Sequence, residues 1–419
     1  MNRGEIDGEE ALLFENSPPP DTFHLAYIIY FTLGVGLLIP WNTFITAVDY
    51  FTYIYPSIPV DRVFTLAFIV VSIVFLLLII LIGQHSSAFL RINIGIGLMV
   101  LCLAIPLVVD RVLVNGKQGV YEGFYFTVLA LAIGGVADAF GKGGLFGSVG
   151  ELPKIYMIAV NSGGAASGVI ISMLRIITKS IYPQNAYGLR KSANLYFVVS
   201  MAVSIICIFC YNLSHKIPII RYYNEFNKKA IEIERAQKIT SPAHSSASNW
   251  RSTLWKILHH VKFCGFGIFL VYTISLSIFL NLISEEPSSH YLKDWYSIIV
   301  ITAYNLFDLV GRALPAIYTI QNQKIAVGAS VARLLFFPVY LGFIHGPMFL
   351  RSEVSMIALS SAVGLSNGYL TSIIMMLATQ SIDIQHAEMA GIAMIFFLSF
   401  GLLGGSTASW FFYLISSRR

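Results

Sequence analysis

Apolar residues fill long stretches of the chain and are separated by short polar segments. A helix needs about 20 apolar residues to cross the hydrocarbon core of a bilayer. A spanning segment must also satisfy its own backbone hydrogen bonds in lipid, so such stretches predict α-helices. Eleven candidate spans result: residues 24–48, 63–83, 88–110, 124–150, 154–179, 192–212, 260–283, 293–320, 324–345, 353–379 and 387–416.

Prolines lie in or directly before several of these windows, and some windows exceed the minimum length. A proline removes a backbone donor and clashes with the preceding turn, so it bends or ends a helix. An overlong span accommodates itself to the bilayer by tilting. We therefore expect tilted or bent spans around these prolines: Pro40, Pro153, Pro315 and Pro338.

One long polar interruption, residues 213–259, divides the chain after the sixth span. Three acidic residues lie in it, and nine basic residues lie between 216 and 262: Lys216, Arg221, Lys228, Lys229, Arg235, Lys238, Arg251, Lys256 and Lys262. Because basic loops stay in the cytosol, this segment predicts a cytosolic loop and N-terminus, and a C-terminus on the outer side. The predicted parts are a disordered tail (1–22), a six-helix bundle (23–212), this loop (213–259) and a five-helix bundle (260–419).

The composition supports a polytopic, all-α membrane protein. Apolar residues make up 56% of the chain and charged residues 12%, about half the share in soluble domains. The net charge of +5 is modest, and no basic face with interleaved aromatics indicates nucleic-acid binding. The four cysteines lie within or beside apolar stretches and lack metal-ligand spacing, which favours packing roles: Cys102, Cys207, Cys210 and Cys264.

Ionisable residues inside the spans are the strongest functional signal from the residues themselves. Asp308 and Arg312 are four apart in the eighth span, and Asn305 lies one turn earlier. Asp138 and Lys142 repeat the spacing in the fourth span. Residues four apart share a helix face, and charges inside a membrane usually face a cavity or a partner. Two interpretations remain open: each pair binds a substrate, or each neutralises itself and braces the bundle.

These features favour a carrier over a receptor, a channel or an enzyme. Eleven spans do not fit a seven-helix receptor, and no repeated pore motif is present. No nucleophile set, metal cluster or phosphate loop appears, so no cofactor or metal is expected. Small residues four apart predict close helix packing at Gly143 and Gly147, Gly364 and Gly368, and Gly401 and Gly405. A planar guanidinium beside a carboxylate suits the hydroxyls of a sugar, and aromatic rings such as Trp41 or Phe279 suit a base.

Seven segments of the chain resemble, in order, the equilibrative nucleoside transporters and most closely their plant branch. The resemblance begins at PPPDTFHLAYIIYFTLGVGLLIPWNTFITAVDYF and extends over nearly everything beyond residue 22. The other matching segments are GGLFGSVGELP, IPIIRYYNEF, YNLFDLVGRALP, VARLLFFPVYL, SNGYL and AEMAGIAMIFFLSFGLL. The resemblance implies a major-facilitator-like arrangement of six plus five helices around a central cavity, and transport of nucleosides by alternating access.

The resemblance also implies residue roles. Arg312 matches the arginine that contacts the sugar, Asp308 its partner and Asn305 the nearby asparagine. Cavity-lining positions are matched by Leu38, Trp41, Ile45, Ile69, Phe279 and Leu402. Positions that look structural or related to gating are matched by Arg91, Gly163 and Glu388.

One position departs from the family pattern. Lys142 stands where the family usually has a glutamine that contacts the base, and Asp138 is one turn away to neutralise it. Lysine only donates hydrogen bonds, so we expect selectivity to shift toward acceptor-rich base edges. A fixed cation in place of a titrating group further predicts facilitative rather than proton-coupled transport of adenosine, uridine and related nucleosides.

Several alternatives stay open. They are proton-coupled nucleoside uptake, transport of nucleobases or cytokinin-like solutes, and a non-transporting sensor. The imperfect dileucine-like element Glu9-Glu10-Ala11-Leu12-Leu13 favours the plasma membrane over the vacuolar membrane.

Overall fold

The structure is a computed structural model that describes residues 19–82, 87–239, 246–284, 291–345 and 352–416. Over these residues all regular structure is helical. Eleven helical segments are long and apolar enough to cross a membrane, which confirms the predicted number. Most of the predicted N-terminal tail with its dileucine-like element, and the terminal Arg418-Arg419, lie outside the described residues.

The first six spans come from six helices in the N-terminal half. They are Leu25–Thr46, Val60–Ile82, Ala88–Val109, Tyr121–Gly150, Lys154–Ile181 and Ala186–Ser214. The last five spans form the C-terminal half and are built from Ser246–Ser284, Tyr296–Ala313, Gln323–Ala332 with Phe336–His345, Glu353–Gln380 and Ile384–Ser416. A short helix, Val48–Ile54, follows span 1.

Prolines shape two of the C-terminal spans as predicted. Span 9 is interrupted by a 3-10 turn at Arg333–Leu335, which ends three residues before Pro338. Span 8 ends in a 3-10 turn, Leu314–Ala316, that contains Pro315. In both places the helix changes geometry where the proline ring prevents the regular α-helical hydrogen bond.

The predicted pairs of small residues lie at helix contacts. A methyl group added at Gly147 would come within 2.9 Å of Glu388 Cγ, where span 4 meets span 11. A methyl at Gly368 would lie 2.8 Å from the backbone nitrogen of Arg312, where span 10 meets span 8. A methyl at Gly405 would lie 2.8 Å from Leu276 Cβ in span 7. Backbones approach this closely only where side chains are absent.

The polar stretch between spans 6 and 7 is itself largely helical. The helix Pro218–Ile239 occupies its first part, and the helix of span 7 begins at Ser246. Asn227 in the first helix donates from Nδ2 to the backbone oxygen of Glu151, at 3.0 Å. This contact docks the linker helix against the connection between spans 4 and 5. We call this end of the bundle the linker end.

Candidate functional site

The C-terminal half contains a buried ion pair on one face of span 8. Arg312 Nε lies 2.9 Å from Asp308 Oδ2, and both side chains are buried. The spacing of four residues therefore brings the two charges together as predicted. A buried pair is held well only when its remaining donors and acceptors are also satisfied.

A chain of hydrogen bonds extends this pair through three other spans. Asn367 donates from Nδ2 to the second Asp308 oxygen at 2.7 Å, and Ser275 donates from Oγ to Asn367 Oδ1 at 2.8 Å. Arg333 in span 9 donates from Nη2 to Ser275 Oγ at 2.6 Å and from Nη1 to the Val271 oxygen at 2.9 Å. Both oxygens of Asp308 are thereby occupied.

Sequence reasoning did not identify Arg333, Ser275 or Asn367 as part of the site. A signal for Arg333 was available, because an arginine inside an apolar span is a functional-site hypothesis by default. The segments VARLLFFPVYL and SNGYL contain Arg333 and Asn367, but only as family matches. Ser275 carries no such signal, since serines are common in transmembrane helices.

Two of the predicted sugar-binding groups also bond to the opposite half. Arg312 donates from Nη1 to the Asn161 oxygen in span 5 at 3.3 Å. Within its own half, it donates from Nη2 to the Tyr272 hydroxyl in span 7 at 3.3 Å. Asn305 donates from Nδ2 to Ser172 Oγ in span 5 at 2.8 Å. A ligand bound at this face would accept hydrogen bonds from Arg312 and Asn305. It would do so alongside the protein oxygens that now accept them, or in their place.

The N-terminal half contains the second ion pair, in span 4. Lys142 Nζ lies 2.6 Å from Asp138 Oδ1, and the lysine is only 8% exposed. Ser72 in span 2 donates from Oγ to the other Asp138 oxygen at 2.8 Å. The sequence predicted that Asp138 neutralises Lys142, and the distance agrees; the serine was missed.

Span 1 packs against helix backbone next to each of the two ion pairs. A methyl group at Gly141, next to Lys142, would lie 2.7 Å from Leu37 Cδ2. One at Gly164 would lie 3.0 Å from Leu38 Cδ1 and 3.5 Å from Arg312 Nη1. Two adjacent leucines of span 1 therefore lie close to the helix backbone beside Lys142 and to the guanidinium of Arg312.

The predicted apolar lining is brought together in part. The Trp41 ring packs on Phe68 with centroids 4.7 Å apart, and Ile69 and Leu402 belong to or pack against the same hydrophobic cluster. Phe279 instead packs on Tyr304, at 4.5 Å between centroids. Ile45 remains 38% exposed.

The three residues predicted as structural or gating lie at two kinds of contact. Arg91 of span 3 forms an ion pair with Glu388 of span 11, which joins the two halves near the linker end. The arginine is 2% exposed. Gly163 lies where span 5 crosses span 1, and a methyl there would meet the backbone of Phe31.

The eleven spans, arranged in two helical halves that each hold a buried ion pair, have the major facilitator fold. The fold is shared with the proton:xylose symporter XylE (TM-score 0.63, 12% identity, covering 95% of this chain and 90% of that one). It is also shared with the Escherichia coli fucose:proton symporter FucP (TM-score 0.56, 14% identity, covering 95% and 92%).

The particular family follows from the sequence comparisons. The family profile described as nucleoside transporter matches residues 128–414. The chain is 49% identical to equilibrative nucleotide transporter 1 of Arabidopsis thaliana, over 94% of this chain and 88% of that relative. It is 37% identical to equilibrative nucleotide transporter 8 of the same plant, over 96% and 98%. The chain belongs to the nucleoside transporter family, and it is a transporter rather than an enzyme.

Proposed function

We propose that this protein is a facilitative carrier of purine and pyrimidine nucleosides that works by alternating access. One observation carries the proposal: each half holds one buried ion pair, and span 1 packs on the backbone next to Lys142 and on span 5 beside Arg312. Arg312 is balanced by Asp308 at 2.9 Å, and Lys142 is balanced by Asp138 at 2.6 Å. The two ion pairs therefore offer hydrogen-bonding groups without a net charge of their own.

Charge balance supports nucleosides over nucleotides as cargo. A phosphate monoester brings about two negative charges at neutral pH. Placing it here would require a cation that is free to bind it. Arg312 and Lys142 are each paired with an aspartate, and Arg333 donates to Ser275 and to the Val271 and Val363 oxygens. A neutral ribose and base can use the same donors without separating the pairs. The two relatives described above are called nucleotide transporters, so adenosine and AMP must be compared directly.

In the proposed complex the ribose lies at span 8. The Arg312 guanidinium donates to the ribose hydroxyls, the Asp308 carboxylate accepts from them, and Asn305 contributes a further amide. The base lies along span 1, where Trp41 offers a stacking face and Lys142 donates to base acceptors. The apolar walls are completed by Leu38, Ile45, Ile69, Phe279 and Leu402.

Transport then follows the rocking of one half against the other. The linker end carries the basic segment, so we propose that it faces the cytosol. We also assign the protein to the plasma membrane, as the sequence analysis favours. The Arg91–Glu388 pair joins spans 3 and 11 and closes the cytosolic side while the cavity faces outward. The small residues at the contact of spans 4 and 11 let that side close tightly. Cargo moves down its own gradient.

The proposal is tested by uptake of radiolabelled adenosine, uridine and AMP into proteoliposomes containing the purified protein, at equal and at acidic external pH. We expect both nucleosides to equilibrate without accumulating at either pH, AMP to be excluded, and Arg312→Ala to abolish uptake. Accumulation driven by the pH gradient would replace facilitation with proton coupling. Folded protein that moves neither nucleoside would contradict the proposal and favour nucleobases or related flat solutes, which the same assay can measure.

A further inference from the structure

A second carboxylate lies beside the ion pair at the linker end. Glu151 directly follows the helix of span 4. Gly147, one turn earlier, contacts Glu388, and a methyl group at Gly150 would come within 2.8 Å of the Ala387 oxygen. Asn227 of the linker helix fixes the Glu151 backbone from the other side, at 3.0 Å. Glu151 is therefore held at the contact between spans 4 and 11.

The charges around Glu151 come from both halves. The carboxylate of Glu388 on span 11 and the guanidinium of Arg91 on span 3 both act on it. The Tyr211 phenol of span 6 faces the same ion pair, and span 10 contributes Thr379, which does not titrate. Burial, followed by repulsion from Glu388, raises the pKa of Glu151 to about 7, and attraction to Arg91 opposes this only in part.

The three groups divide unequally between the halves. Arg91 and Glu151 belong to the N-terminal half, whereas Glu388 belongs to the C-terminal half. Opening of the linker end separates Glu388 from Arg91. Taking a carboxylate away from a buried guanidinium is strongly destabilising. Glu151 is a carboxylate of the same half as Arg91, and the two charges already attract each other.

We propose that Glu151 binds a proton while the linker end is closed and releases it on opening, when it replaces Glu388 as the partner of Arg91. The exchange keeps the buried cation neutralised in both conformations, which lowers the cost of opening. This proposed exchange of carboxylates rests on the alternating-access function proposed above. Because Glu151 lies at the linker end in both conformations, the proton returns to the same compartment, and no proton crosses the membrane.

The sign of the pH effect follows from linkage. In the closed conformation Glu151 has a raised pKa, so the closed conformation binds more protons than the open one, in which Arg91 keeps the carboxylate ionised. Low pH therefore favours the closed linker end, and rising pH favours opening. With a closed-state pKa of about 7 and an ordinary open-state value, the ratio of open to closed protein rises about tenfold between pH 6 and pH 8.

The experiment measures the width of the linker end directly, by electron-electron resonance between two spin labels in detergent. Lys216→Cys labels the end of span 6 and Lys324→Cys the start of span 9; both lysines are exposed. Cys210→Ser removes the one cysteine that is not buried. We expect the fraction with the long distance to rise with a midpoint near pH 7, and Glu151→Asp to keep that transition.

Two variants separate the exchange from other titrations. Glu151→Gln imitates the protonated side chain, so the label distance should stay short and independent of pH. Glu388→Gln leaves Glu151 as the partner of Arg91, so the linker end should be open throughout. Partial desolvation lowers the pKa of His215 at the same end, so this histidine titrates below the expected midpoint.

A wild-type distance that does not change between pH 6 and pH 8, or a transition that survives in Glu151→Gln, overturns the exchange. The wild-type titration decides this even if a variant fails to fold. Nucleoside uptake by the labelled protein is measured in parallel. Uptake without a pH-dependent distance refutes only the exchange, whereas absence of uptake refutes the carrier function on which it rests.

Discussion

The two buried ion pairs have the same spacing on their helices but different surroundings. In span 4, Lys142 and Asp138 have one further described side-chain partner, the Ser72 hydroxyl of span 2 in the same half. In span 8, Arg312 and Asp308 bond to groups from spans 5, 7 and 10. One pair is therefore largely self-contained, while the other holds the two halves of the protein together.

The difference follows from the chemistry of the two cations. Lysine is a compact point charge on a flexible stem, whereas arginine presents a rigid planar fork. Arg312 uses three different nitrogens on three different partners, which lysine cannot reproduce. We infer that the span 8 pair sets the geometry between the halves and that the span 4 pair mainly provides a local donor. The variants below test this contrast.

The largest effect is expected for Arg312→Lys, which keeps the charge and removes the fork. Lysine can stay near Asp308 but cannot also reach both the Asn161 oxygen and the Tyr272 hydroxyl. Hydrogen bonds from charged groups contribute about 1.5–3 kcal/mol each, so kcat/KM for adenosine uptake should fall about 10- to 100-fold. Lys142→Arg is the matched control, since it keeps a cation beside Asp138 in the self-contained pair. Equal tolerance of the two exchanges would contradict the contrast.

The sequence was sufficient for the spans and for pairs within one helix. Apolar windows predict the eleven helices, and the helical period predicts that residues four apart meet, as Asp308 and Arg312 do. Partners from other helices could not be predicted in this way. Ser72 meets Asp138 across 66 positions of sequence and Asn367 meets Asp308 across 59, and a period identifies a face but not its neighbour.

The same limit explains two other outcomes. Phe279 is expected beside the cavity because aromatic rings stack on bases, and this stays a prediction. Its contact with Tyr304 could not be predicted, since it depends on how spans 7 and 8 are rotated. The polarity of residues 213–259 predicts exposure to water and says little about helix content. The helix Pro218–Ile239 fits that segment because charged residues can line its outer side while Asn227 faces the bundle.

An intermediate effect, on selectivity between bases, is expected for the double variant Asp138→Asn, Lys142→Gln. This change makes the span 4 pair neutral and restores a side chain that both donates and accepts. Cytosine presents a donor where uracil presents an acceptor at the same ring position, so the two nucleosides form a matched pair. The ratio of kcat/KM for cytidine over uridine should rise about three- to tenfold, as expected for one net hydrogen bond. Competition uptake with both labelled nucleosides measures it, and an unchanged ratio would place Lys142 away from the base.

The smallest effects come from removing one hydroxyl beside each pair. Hydrogen bonds between membrane helices average about 0.6 kcal/mol and reach about 1.7 kcal/mol. Ser72→Ala deletes one bond to Asp138, so its effect on the free energy of unfolding should lie near the average. Ser275→Ala deletes the donor to Asn367 and an acceptor of Arg333 together, so its effect should approach the upper value and lower the midpoint of thermal unfolding more. The Ser275→Ala variant should also raise KM for adenosine a few-fold, because Asn367 without its Ser275 donor holds Asp308 less firmly. Equal midpoints for the two alanine variants would show that the polar chain from Arg333 to Arg312 does not act as one unit.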